Sequence, residues 1–118
     1  MKHAPRFLAL VAECLPRIRE ISAEDVAQDL PSLTLVDVRE DHEWAAGHIA
    51  GAVHLARGIL ERDVESRFPD PNVAIILYCG GGYRSALAAD SLQRMGYTNV
   101  RSMAGGWRRW GEIGGPTD

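Results

Sequence analysis

The sequence predicts an α/β fold built on a mostly parallel sheet, and three observations carry that prediction. Apolar, strand-like runs alternate along the 118-residue chain with helical stretches. VAIILYC, residues 73–79, is apolar throughout, as a strand covered on both faces must be. The intervals suit short crossover helices, and there is no internal repeat, low-complexity tract or linker.

Taken in order, FLALVAECLPRIRE (7–20) spaces Phe7, Leu10, Val11, Cys14, Leu15 and Ile18 as one helical face. Pro16 removes a backbone donor and predicts a kink or break there. Ser22 is an N-cap with Asp25 at the capping-box position, opening a short helix that stops at Pro31. LTLVDVR (33–39) reads as a buried strand, and EDHEWAAGHIAG (40–51) as turns with a short helix around Trp44. AVHL (52–55) is a second strand, ILERDVESRF (59–68) a helix and PDPN (69–72) a turn. After the central strand, SALAADSLQRMG is a helix with Leu87, Ala88, Leu92 and Met95 inward and Gly96 just past its end. NVRSM (99–103) is a strand, AGG a tight turn, and WRRWGEI a closing helical turn or two. Trp107 and Trp110 read as packing residues.

Composition bounds the function. A net charge of −3 argues against a nucleic-acid binder, which needs a basic face. Cys14 and Cys79 are too few for a disulfide scaffold, and His3, His42, His48 and His54 form no metal-ligand spacing, so no metal and no cofactor are expected. FLALVA is interrupted by Glu13, lacks a cleavage motif and is too short to span a bilayer, which points to a cytoplasmic protein with reduced thiols and no membrane partner.

The chemistry concentrates at CGGGYRS, residues 79–85. Cys79 ends a central strand just before a helix, the corner where open α/β sheets bind ligands. Unpaired amides and the helix dipole favour a thiolate there. Gly80, Gly81 and Gly82 let consecutive amides curl round one point as an anion nest, with Tyr83 at its mouth and Arg84 and Ser85 completing it.

This loop resembles the active-site loop of rhodanese (sulfurtransferase) domains. LVDVRE (35–40), EWAAGHIAGAVHL (43–55), LYCGGGYRSALAA (77–89) and GYTNVRSMAGGWRRW (96–110) match that family's landmarks in order. The resemblance implies a rhodanese-like three-layer fold, a five-stranded sheet flanked by helices. It divides the chain into an N-terminal helical extension (1–20), the domain (21–113) and a tail (114–118). It also implies that Cys79 carries a sulfane sulfur as a persulfide, from a donor such as thiosulfate or a persulfide, small or protein-borne, to cyanide or a thiol. Many thiosulfate-using members carry a basic residue directly after the cysteine, where this chain has Gly80.

Asp37, Arg39, Glu43 and His48 match D-x-R and E-W-x-x-G-H of the same family and read as a supporting polar network, with Arg39 paired to a carboxylate. His42 and His54 are expected to have no role, and Cys14 to be buried. Two other functions compete. A phosphatase or arsenate reductase needs five residues between cysteine and arginine, and this chain has four between Cys79 and Arg84. A non-catalytic interaction module on the same fold is the other, with the N-terminal helix free to pack, dimerise or dock.

Overall fold

In the computed structural model, which describes residues 3–118, the apolar run at 73–79 forms the middle of the sheet. In chain order the elements are α1 (Pro5–Cys14), β1 (Arg19–Ser22), α2 (Ala23–Gln28), β2 (Leu35–Asp37), α3 (Asp41–Ala46), β3 (Val53–His54), α4 (Leu60–Arg67), β4 (Ile75–Tyr78), α5 (Tyr83–Arg94), β5 (Val100–Ala104) and α6 (Gly106–Glu112). The five strands are all parallel and lie in the order β1-β5-β4-β2-β3.

Alternation along the strands divides the core into two layers. Ile75 and Leu77 of β4 face a cluster with Val36, Leu60, Val64, Ala88, Leu92 and Val100, beneath α4 and α5. Ile76 and Tyr78 face the opposite cluster, with Ala23, Val26, Leu35, Ile49, Met103 and Trp110, beneath α2 and α6.

The strand order also makes the site. β2 and β4 are neighbours, but the chain leaves them in opposite directions, toward β3 and toward β5. Their following loops diverge and open a crevice at the strand ends, the switch point where α/β sheets bind ligands.

Three local expectations differ from the fold. The N-terminal helix begins at Pro5 and ends at Cys14; Pro16 sits in a 3₁₀ turn, Leu15–Arg17, and the chain then becomes β1. That strand, opposite Arg101–Ala104 of β5, is a product of long-range pairing and has no periodicity of its own. Met95, expected inward, is the C-cap of α5 and 39% exposed, and the turn at Gly96 brings Tyr97 into the core instead, its hydroxyl donating to the Phe68 carbonyl at 2.6 Å. Leu87 is only half-buried. Ser22 does cap α2, accepting from the Asp25 N–H at 3.1 Å.

Both chain ends are held. Val11 and Cys14 of α1 are buried, and Arg17 donates to both carboxylate oxygens of Asp90 on α5 (3.1 and 3.0 Å). Residues 116–118 pair antiparallel with 48–50, and the Trp110 indole donates to the Pro116 carbonyl at 3.0 Å.

Candidate active site

Cys79 follows β4 directly and is among the residues that line a cavity of about 460 Å³. The Gly82 N–H donates to Sγ at 3.1 Å and the Ser85 N–H at 3.3 Å; Ser85 Oγ lies 3.5 Å from the sulfur. Ser85 Oγ is in turn 2.8 Å from Ser102 Oγ on β5, and both serines are fully buried. Gly80, Gly81, Tyr83 and Arg84 have amides with no acceptor among the described residues, the last two as the first turn of α5 requires.

The loop is turned inward by α6. Trp107 N–H donates to the Cys79 carbonyl at 2.7 Å and Arg108 N–H to the Gly80 carbonyl at 3.0 Å. Drawing these carbonyls outward leaves the amide side of the loop facing the sulfur. The approach demands two glycines. At Gly106 (φ 54°) a Cβ would collide with the Cys79 carbonyl oxygen, and at Gly82 (φ 101°) it would stand 3.2 Å from the Gly105 nitrogen.

Arg84 is not a free charge at the rim. Its Nη1 and Nη2 donate to Glu43 Oε1 and Oε2 at 2.8 and 3.1 Å, and Oε1 also accepts from the Glu40 N–H at 3.0 Å. Glu43 therefore joins the loop after β2 to the loop after β4 across the crevice. The hydrogen-bonded Arg84 guanidinium pulls the Glu43 carboxyl down to about 2, outweighing burial, which acts to raise it. A carboxyl depressed in the folded state adds stability that is whole above the ordinary value of 4.5 and is lost as pH falls toward 2. The denaturation midpoint of Glu43→Gln is accordingly expected to lie below that of the wild type at neutral pH and to converge with it across that acid window. A constant gap would show that the pair contributes nothing to stability.

Asp37 and Arg39 form a separate, buried pair. Arg39 Nε and Nη2 reach the Asp37 carboxylate at 2.8–3.1 Å, and Nη2 also donates to the Gly47 carbonyl at 2.7 Å. The guanidinium lies 4.7 Å from the Trp107 ring centroid, so Trp107 does more than fill space. Beside the pair, burial above all pushes the Tyr78 phenol up, and its oxygen accepts from the Ile49 N–H at 3.0 Å. His48 is stacked on Trp44 at 3.5 Å with Nδ1 3.1 Å from the Trp44 carbonyl oxygen, and it does not line the cavity. His54 Nε2 lies 2.8 Å from the Arg39 carbonyl oxygen, so it too is part of the scaffold.

Sequence reasoning missed four residues here. His42, expected to have no role, lines the cavity beside Glu43, and His3 and Phe7 line it from the N-terminal segment. Ser102 backs Ser85 from a strand distant in sequence. Nothing local in the sequence identifies these residues.

A family model described as Rhodanese-like domain matches residues 22–113. The chain belongs to the rhodanese-like family. Thiosulfate sulfurtransferase GlpE of Pseudomonas entomophila is 31% identical over 97 residues, covering 81% of this chain and 87% of that protein. A solved structure from Rhodopseudomonas palustris, described as a protein of unknown function and possible tyrosine phosphatase, superposes with a TM-score of 0.85 at 30% identity, covering 100% of this chain and 98% of that one. The polysulfide-sulfur transferase homodimer of Wolinella succinogenes gives a TM-score of 0.79 at 28% identity, covering 96% and 87%. The rhodanese-like match begins at residue 22, so α1 and the residues before it lie outside it.

Proposed function

We propose that this rhodanese-like protein is a sulfurtransferase that carries a sulfane sulfur as a persulfide on Cys79. The observation that carries this reading is the cavity-lining Cys79, its sulfur facing the Gly82 and Ser85 amides. With thiosulfate, the Cys79 thiolate attacks the outer sulfur, a new S–S bond forms, the old one breaks, and its electron pair leaves on sulfite. The product, Cys79–S–S⁻, is an anion at the N-terminus of a 12-residue helix, where unpaired amides stabilise it. Cyanide or a thiolate then attacks the terminal sulfur and returns the Cys79 thiolate. No general base is needed for either step if the thiol enters ionised.

The relatives named thiosulfate sulfurtransferase and polysulfide-sulfur transferase support sulfur transfer, whereas the Rhodopseudomonas palustris structure is described as a possible tyrosine phosphatase; the site favours the first. Its one cavity-lining guanidinium is committed to Glu43, and the loop is one residue shorter than a phosphatase needs. A cytoplasmic setting belongs to the same reading, supported by two unbridged cysteines. Intact mass spectrometry tests the proposal. Brief exposure to thiosulfate or inorganic polysulfide should add one sulfur atom that cyanide removes. An unchanged mass with both donors, in folded protein, would favour the non-catalytic interaction module.

A further inference from the structure

The cavity above Cys79 is larger than sulfur transfer from a small anion requires. Its volume of about 460 Å³ falls within the range of small-molecule sites. Part of its wall comes from outside the family match, from His3 and from Phe7 of α1. The His3 and Tyr83 ring centroids are 4.9 Å apart and the Phe7 and Tyr83 centroids 6.1 Å, both pairs edge to face, while His3 and Phe7 lie 5.4 Å apart. Three rings from two distant segments thus meet beside the sulfur. Edge-to-face clusters of this kind present an apolar, polarisable surface to a ligand.

The charge at the site points the same way. Arg84, the one guanidinium among the cavity-lining residues, is bidentate on Glu43. Gly80 supplies no cation, and a Cβ there would stand 3.0 Å from Arg84 Nη2. A dianion such as thiosulfate would give up water without gaining an unpaired arginine. An organic donor with an apolar body meets no such cost.

We propose that the sulfur donor at Cys79 is a small organic persulfide, R–S–SH, whose apolar or aromatic R group lies against His3, Phe7 and Tyr83. The proposal rests on the sulfurtransferase reading and makes the start of α1 a specificity element. In the transfer step the Cys79 thiolate attacks the outer sulfur of R–S–SH. The Sγ–S bond forms and the R–S–S bond breaks. The electron pair leaves on R–S⁻, which takes the proton of the donor, so the products are Cys79–S–S⁻ and R–SH. Charge and atoms balance without an added oxidant or reductant.

The test compares kcat/KM for loading Cys79 from three donors: thiosulfate, methyl persulfide and benzyl persulfide. The two persulfides share their reacting sulfurs but release different thiols, so the change of their ratio between wild type and variant, in which leaving-group reactivity cancels, reads recognition of the ring. The wild type should prefer benzyl over methyl persulfide by about tenfold or more, and Phe7→Ala should reduce that ratio about three- to tenfold through KM, the scale of one lost aromatic contact. Phe7→Tyr should retain it. If Phe7→Ala is misfolded by circular dichroism, Phe7→Leu, which keeps apolar volume without the ring, carries the same readout. Glu43→Gln should release Arg84 and lower the KM for thiosulfate relative to methyl persulfide. A benzyl-to-methyl ratio near one, or one untouched at position 7, overturns the proposal and leaves sulfur transfer standing. Efficient thiosulfate loading that Glu43→Gln does not improve also overturns it. Failure of every donor to load Cys79 removes both readings together.

Discussion

Cys79→Ala is expected to abolish sulfur loading, with a loss of more than about a thousandfold in kcat/KM for any donor, because the proposed function makes the nucleophile and the persulfide carrier one atom. The loop should survive the change: its carbonyls are held by Trp107 and Arg108 N–H groups, and α5 starts from the glycine at 82, none of which needs the sulfur. Cys14 cannot substitute. It is 1% exposed in the packing of α1, and burial, with Asp90 next in weight, pushes its thiol up and away from the reactive thiolate. Intact mass after exposure to polysulfide checks the result. A sulfur adduct on folded Cys79→Ala protein would move the chemistry to Cys14 and remove the assignment of Cys79.

Arg39→Met should have the largest effect on stability. Asp37 is fully buried and Arg39 is 3% exposed, so the substitution strands a carboxylate in the core without its cation, leaving the residue 39 N–H, now 2.8 Å away, and the neighbouring Tyr78 hydroxyl to bond it. It also removes the donor to the Gly47 carbonyl and the cation over Trp107. Breaking one partner of a buried pair costs about 3–5 kcal/mol, a large part of a domain's total stability. The expected fall in Tm is about 10–20 °C for a domain of this size. Thermal unfolding followed by circular dichroism measures it; a fall within a few degrees would show that Asp37 protonates or rehydrates cheaply. The double variant Asp37→Leu/Arg39→Met should recover part of the loss, since it leaves no orphaned charge.

Much of the site was legible because its parts are adjacent in sequence. Cys79, Gly82 and Ser85 lie within one strand-to-helix corner, so the run of glycines between an apolar strand and an amphipathic helix already implied a cradle around the sulfur. That Arg39 pairs with a carboxylate was readable too, and the structure decided that the partner is Asp37, two residues away. Arg84 shows where such reading stops. Its place in the loop suggested a free rim charge, yet its partner is Glu43, which reaches it only because β2 and β4 are neighbours.

By itself the sequence determined the α/β class, the central strand, the cysteine loop and the family, since each is written in local pattern: hydrophobic runs, turn residues and a contiguous loop. Only the tertiary structure decided that residues 19–22 form an edge strand, that Ser102 backs Ser85, and that His3, Phe7 and His42 wall the cavity. The physical reason is common to all of them. Strand pairing, charge neutralisation and ring stacking are made between segments distant along the chain, and their partners become definite only when the sheet order brings the segments together.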